Sequence, residues 1–290
     1  MKKIYFFALL FGGLAVWADP IAERQTFFRN VDKNPGSARQ YLSHKDPEIR
    51  RYAAYLVLKS EPADLEKTVE KLSADPDENV RMTVISRLPQ IASKNKKIHD
   101  ILLKVAQTDP APHIRKIAVR ATWPFHREVW LIRNDPTWDH AITTVKRIPL
   151  ENLPWLFTLD PMGDGHLKGF FKKNYNTAKW KPINMGVWEN QGYPDYNGIA
   201  WYQIKFTMPE KIDHNAVEVV FDSVDDSAWV WLNGVYLGCH DIGSEGWNIP
   251  FSLDCRKEIR WGRENVLTVR VGDAGAAGGI YKPVRVEVIK

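Results

Sequence analysis

Apolar positions in the first half of the chain recur at helical spacing. Ile49 and Ala53, Val80 and Val84, and Ile114 and Ala118 are apolar pairs four residues apart, a spacing that puts both side chains on one face of a helix. Each pair follows an Asp-Pro signal: Asp46-Pro47, Asp75-Pro76 and Asp109-Pro110. An aspartate there can cap a helix, and proline fits the first turn, where its missing N–H has no partner to lose. Second helices are expected between the copies, with apolar positions at Leu65, Val69 and Leu72 and then at Ile98, Ile101, Leu102 and Val105. Arg50, Arg81 and Arg115 lie 31 and then 34 residues apart, within the range of stacked helix-pair repeats. Trp123, Trp130 and Trp138 are expected to form an atypical last unit that meets the next domain.

Near residue 150 the period changes from 3.6 to 2. Tyr202, Ile204, Phe206 and Met208 alternate with Trp201, Gln203, Lys205 and Thr207. Val217, Val219 and Phe221 follow, and later Leu267, Val269, Val271 and Val284, Val286, Val288 repeat the pattern. Short alternating runs broken by Gly, Asp and Asn turns predict a β-sandwich. The clearest hairpin is VDDSAWVWLNGVYLGCHD, from Val224 to Asp241, where Asn233-Gly234 suits a type I′ turn. Its alternation sets Ala228, Val230 and Leu232 on one face and Trp229 and Trp231 on the other. The two indoles are expected to cover a sheet or its junction with the helices. The pattern as a whole predicts a multidomain chain: an all-α solenoid over 19–150, then an all-β jelly-roll sandwich over 151–290.

The first eighteen residues change the setting. Lys2 and Lys3 precede an apolar stretch from Ile4 to Leu14, and Ala15-Val16-Trp17-Ala18 follows. That is the layout of a cleaved signal peptide over 1–18, too short to span a bilayer that needs about 20 apolar residues. No transmembrane segment is expected, and the protein is expected to be secreted or periplasmic. The net charge is +5; residues 19–150 carry +6 and residues 151–290 carry −3. The basic residues lie along helices with acids between them, so nucleic acid is not an expected partner. Cys239 and Cys255 are the two cysteines, and outside the cytoplasm they permit a disulfide.

Two resemblances rest on these residues. The Asp-Pro and Val/Ile-Arg signals resemble HEAT repeats over about residues 38–125. The order Gly198-x-x-Trp201-Tyr202, Phe221-x-x-Val224-Asp225-Asp226, Trp231-Leu232-Asn233-Gly234, Asn265-x-Leu267-x-Val269-x-Val271-x-Asp273 and Gly278-Gly279-Ile280-Tyr281 looks like one module. It resembles the N-terminal sugar-binding jelly-roll of family 2 glycoside hydrolases, a galactose-binding-like fold. Those enzymes hold their two catalytic carboxylates in a separate barrel of about 250 residues. No residue here matches that pair, so no catalytic residue is expected and the chain is read as a non-enzyme. The resemblance implies substrate-contacting positions near Asp195 and Asn197 and at Asp273.

The aromatic content argues the same way independently. Residues 151–290 hold eight tryptophans, and carbohydrate sites combine aromatic faces with a few placed polar groups. Candidate sugar-binding residues are Trp188, Tyr193, Asp195, Tyr196, Asn197, Trp201, His240, Trp247, Asp273 and Tyr281. No cofactor is expected beyond a structural calcium, for which Asp222, Asp225, Asp226 and Asp254 are the candidates, since hard oxygen ligands suit that ion. The Gly-rich run 272–279 is expected to be a flexible connection between strands. The expected function is a secreted, non-catalytic carbohydrate-binding protein whose partner is a glycan or polysaccharide. The alternative is an interaction or envelope-assembly protein that binds an extracellular protein through repeats and sandwich. A stand-alone glycoside hydrolase is the third reading.

Overall fold

A computed structural model describes residues 20–60, 62–92, 94–125 and 143–290. The signal-peptide segment, Trp130 and Trp138 lie outside the described residues. The chain divides into two compact units, one running up to Ile101 and the other starting at Leu102.

The first unit is helical, with α1 (Pro20–Lys33), a 3-10 turn (Pro35–Tyr41), α2 (Pro47–Lys59), α3 (Leu65–Leu72), α4 (Glu78–Ile85), α5 (Pro89–Ala92) and the start of α6 (Lys96–Thr108). Helix α7 (Pro112–Ala121) belongs to the second unit. All three predicted apolar pairs are buried. The repeat register is set by the arginine rather than by the Asp-Pro pair. Arg50 donates to the carbonyls of His44 and Lys45, Arg81 to those of Asp75 and Pro76, and Arg115 to those of Asp109 and Pro110. Each arginine thus satisfies the carbonyls five and six residues before it. In that frame the cap position holds Asp46, Asp77 and Ala111. Asp46 caps as expected, but Asp75 and Asp109 do not cap. Asp75 instead takes a two-pronged ion pair from Arg50 of the preceding repeat, at 2.8 Å on each oxygen.

The second unit is a sandwich of two antiparallel sheets. Its strands are β1 (Thr144–Pro149), β2 (Trp155–Leu159), β3 (Lys181–Ile183), β4 (Gly198–Thr207), β5 (Ala216–Phe221), β6 (Ser227–Leu232), β7 (Val235–His240), β8 (Phe251–Asp254), β9 (Glu264–Asp273) and β10 (Val284–Ile289). One sheet has the order β3-β2-β4-β9-β6-β7 and the other β1-β10-β5-β8. Between them lies one core to which both sheets contribute, including Tyr202, Ile204, Phe206, Val217, Val219, Ala228, Val230, Leu267, Val269, Val284 and Val286. The alternation read from the sequence therefore assigns the inward faces correctly. Asn233 and Gly234 have φ of 56° and 85°, as a type I′ turn requires.

The outer face of the six-stranded sheet is a second aromatic layer. Trp201, Arg270 and Trp229 face one another across β4, β9 and β6. Phe170, Trp180, Trp201 and Trp231 are buried there, with Trp123, Phe125, Phe171 and Tyr236 packed around them. Trp123, just past α7, meets Trp229 edge-on at 5.5 Å and Trp231 at 6.1 Å. The two hairpin indoles are thus structural, covered by the segment that follows α7.

The expected disulfide is absent: Cys239 and Cys255 are both buried and unbonded to each other. Cys239 pairs across from Trp229 on the outward face, whereas Cys255 belongs to the inter-sheet core. They are also displaced along the strands: His240 stacks on Phe251 at the start of β8, at 4.6 Å, whereas Cys255 follows that strand's last residue, Asp254. Burial pushes the Cys255 thiol well up from its ordinary range. Both thiols are expected to resist alkylation in the native protein and to react fully in denaturant, which intact-mass measurement would read directly.

Candidate functional site

Strand direction gathers the predicted site residues at one end of the sandwich. β4 begins there at Gly198, opposite Asp273 at the end of β9, and Ser227 at the start of β6 pairs with Gly272. β7 ends there at His240, opposite Ala228. In the other sheet Phe221, Phe251 and Val284 mark the same level. The connections 184–197, 222–226, 241–250 and 274–283 therefore converge, and an isolated bridge between Asp225 and Gly279 ties two of them together.

Within this end the ten candidates fall into different layers. Trp188 is fully buried; its Nε1 donates to the Tyr196 carbonyl at 3.1 Å and its backbone N–H to Gly278 at 3.0 Å. Trp201 is fully buried on the outward face, with Nε1 held by Asp160 Oδ2 at 2.8 Å. His240 is fully buried against Phe251. These three present no face to a ligand; they build the end rather than line it. Tyr193 and Tyr196 are half-buried. Tyr193 lies on Phe157 at 4.8 Å, and the Tyr196 hydroxyl donates to Ile199 O at 2.6 Å. Burial, reinforced by the charge of Asp160, pushes the Tyr196 hydroxyl up to about 12. Asp195, at a positive φ of 57°, and Asn197 are exposed.

Trp247 is 52% exposed, the most open indole of the described sandwich. Its loop is fixed from below: Ser223 Oγ donates to the Trp247 carbonyl, and Gly246 lies so close to the Asp226 carbonyl that a Cβ there would clash. Beneath sit Asp225, Asp226 and Asp273, whose carboxylates each offer an oxygen within 4.8 Å of the others. Burial, and after it the neighbouring charges of Asp226 and Asp273, push Asp225 up to about 7 even though Tyr281 hydrogen-bonds to it. Burial also raises Asp273.

Two metal candidates read from the sequence are corrected. Asp222 is ion-paired with Arg285 at 2.7 Å. Asp254 is ion-paired with Arg256 at 2.7 Å and lies at the far end of β8, opposite Glu218. Asp273 joins Asp225 and Asp226 instead. The glycine-rich run is also tighter than expected. Ala274 N donates to Asp226 Oδ2 at 2.8 Å, Gly275 N to Asp273 Oδ1 at 2.8 Å and Gly278 N to Glu189 at 3.1 Å. A Cβ on Gly278 would run into the Trp188 ring. Glu189, Asp160 and Arg270 escaped the sequence reading. Each acts on a residue tens of positions away, and no local motif marks them.

The comparisons fit this architecture. Residues 37–122 match the family profile described as HEAT repeats, and residues 168–277 match the one described as the β-galactosidase second all-beta domain. The chain is 31% identical over 114 residues to a β-glucuronidase of Formosa agariphila, covering 34% of this chain and 11% of that protein. It is 25% identical over 154 residues to a β-galactosidase of Thermoanaerobacter pseudethanolicus, covering 48% of this chain and 20% of that protein. The chain thus spans between about a tenth and a fifth of the length of these curated relatives. Among solved structures, a glycosyl hydrolase family 2 member from Bacteroides cellulosilyticus superposes with a TM-score of 0.41 at 23% identity, covering 50% of this chain and 21% of that one. The β-glucuronidase of Ruminococcus gnavus in complex with uronic isofagomine gives 0.44 at 17% identity, covering 52% and 29%.

Proposed function

We propose that the sandwich is a carbohydrate-binding module, non-catalytic and working outside the cytoplasm, that takes a glycan at the end where the four connections meet. The observation that carries this reading is the exposed Trp247 indole on a loop braced against Ser223 and Asp226. An aromatic face for sugar C–H groups beside fixed polar groups is the usual composition of such a site. Half-buried Tyr193 and Tyr281 and exposed Asp195 and Asn197 belong to the same loop cluster. The similarity of residues 168–277 to a domain of β-galactosidases supports a sugar as the ligand.

The test is a glycan array carrying both galactoside- and glucuronide-terminated chains, followed by titration of any hit. Trp247→Ala is expected to weaken binding about tenfold, the equivalent of ~1.4 kcal/mol, with an unchanged melting temperature because the indole is mostly exposed. A protein that binds nothing on the array, or binds equally well without Trp247, sinks the reading and turns attention to a protein partner.

A further inference from the structure

We propose that Asp225, Asp226 and Asp273 hold a divalent cation of the calcium type, which clamps the 222–226 connection to the end of β9. The geometry suits the ion. Calcium takes carboxylate oxygens at about 2.3–2.6 Å, so two oxygens on one ion stand no more than about 5 Å apart. The three carboxylates meet that condition, each offering an oxygen within 4.8 Å of the other two. They come from two chain segments nearly fifty residues apart, brought together by the pairing of β6 with β9.

A second observation points to a ligand rather than to a chance gathering of acids. Asp273 is only 5% exposed, and its Oδ2 is buried without a hydrogen-bond donor among the described residues. Its other oxygen is satisfied by Gly275 N–H, and one oxygen of Asp226 by Ala274 N–H. The loop amides thus occupy one side of these two carboxylates and leave a buried oxygen with no protein donor. Leaving a charged acceptor unmet in the interior is costly, and a cation removes that cost. Tyr281 hydrogen-bonds to Asp225 and steadies it from the 280s loop.

The electrostatics agree in direction. The strongest charged neighbours of Asp225 are Asp226 and Asp273, and those of Asp273 are Asp226 and Glu189, all negative.

The test uses the full chain, stripped with chelator and titrated with calcium chloride alone. Melting temperature and calorimetric heat are read at pH 7.5, then again after excess chelator. The expected result is a reversible rise of several degrees with a dissociation constant on the order of 10⁻⁴–10⁻³ M. Asp225→Asn and Asp273→Asn, checked for folding by circular dichroism, are expected to lose the shift, while Asp222→Asn keeps it. No heat and no shift at millimolar calcium in the unaltered chain overturns the proposal. So does a shift that survives both cluster variants, which would place the ion elsewhere. Glycan binding measured in chelator is a separate readout, so a failed cation site leaves the sugar reading standing.

Discussion

Replacing Trp188 by alanine is expected to destabilise the sandwich by about 3–5 kcal/mol, the usual cost of removing a buried indole. Against a total stability of about 5–15 kcal/mol for a domain, that is a large fraction. Trp188 is fully buried among Phe157 and Tyr196, at 5.9 and 5.7 Å between ring centres. Its Nε1–H satisfies the Tyr196 carbonyl. Its ring is also the floor on which the glycine-rich loop rests, so close that Gly278 has no room for a Cβ. Alanine leaves a cavity, an unmet carbonyl and a loop without support. Because that loop also donates to Asp226, Asp273 and Glu189, the candidate site should loosen with it. Urea unfolding followed by circular dichroism reads the cost. Trp188→Phe, which keeps most of the volume but loses the N–H, is expected to recover about half of it. A Trp188→Ala protein as stable as the parent would mean that the loop is not braced by the indole. The contrast with Trp247→Ala separates loss of a ligand surface from loss of the fold: both should lower glycan binding, and only Trp188→Ala should lower the melting temperature.

That contrast also marks where sequence reasoning reached its limit. Alternation identified the inward face of β4, β6, β9 and β10, because a period of two in Val, Ile, Leu and Tyr can satisfy only one buried face. Strand ends and connections then placed nearly all the site candidates at one end, since the antiparallel order brings alternate loops together. What the one-dimensional pattern does not carry is the depth of a loop residue. Trp188 and Trp247 both sit in Gly-rich connections, yet one lies under Gly278 and the other faces water. The difference is made by a contact ninety residues away. Asp254 and Asp273 were separable only once strand direction was known: each ends a strand, but at opposite ends of the sandwich. Among the repeats the arginine spacing was legible, and Asp46 caps as read, while the caps of the second and third copies were misassigned. Asp-Pro is the more conspicuous signal, yet the hydrogen bonds five and six residues back set the register.

Arg270 should be the second costly position, and the reason is its surroundings more than its charge. It lies in the interior of β9 on the outward face, with its guanidinium 4.2 Å from the Trp123 ring centre and 4.4 Å from that of Trp229. Its Nε is buried without an acceptor among the described residues. Burial draws the guanidinium down to about 10, against the support of Asp160 and Asp241. A base whose folded value is depressed binds fewer protons folded than unfolded from about pH 10 up to the ordinary guanidinium range, so stability rises with pH across that window and at neutral pH the burial of the charge opposes folding. What holds the side chain there is cation–π contact with two nearly perpendicular indoles, worth about 2 kcal/mol when desolvated, together with the packing of its methylenes. Arg270→Ala is therefore expected to cost about 3 kcal/mol, because it leaves a gap beside the two rings. Arg270→Met fills the gap without the charge and should recover more than half of that loss, as replacing buried charges by apolar groups of similar volume often does. Trp123→Ala removes one side of the stack, and a double-mutant cycle with Arg270→Ala should give a coupling of about 1–2 kcal/mol. A coupling near zero would show that Trp123 covers the sheet without engaging the cation. A coupling of the expected size would show that the sandwich draws part of its stability from the segment just after α7.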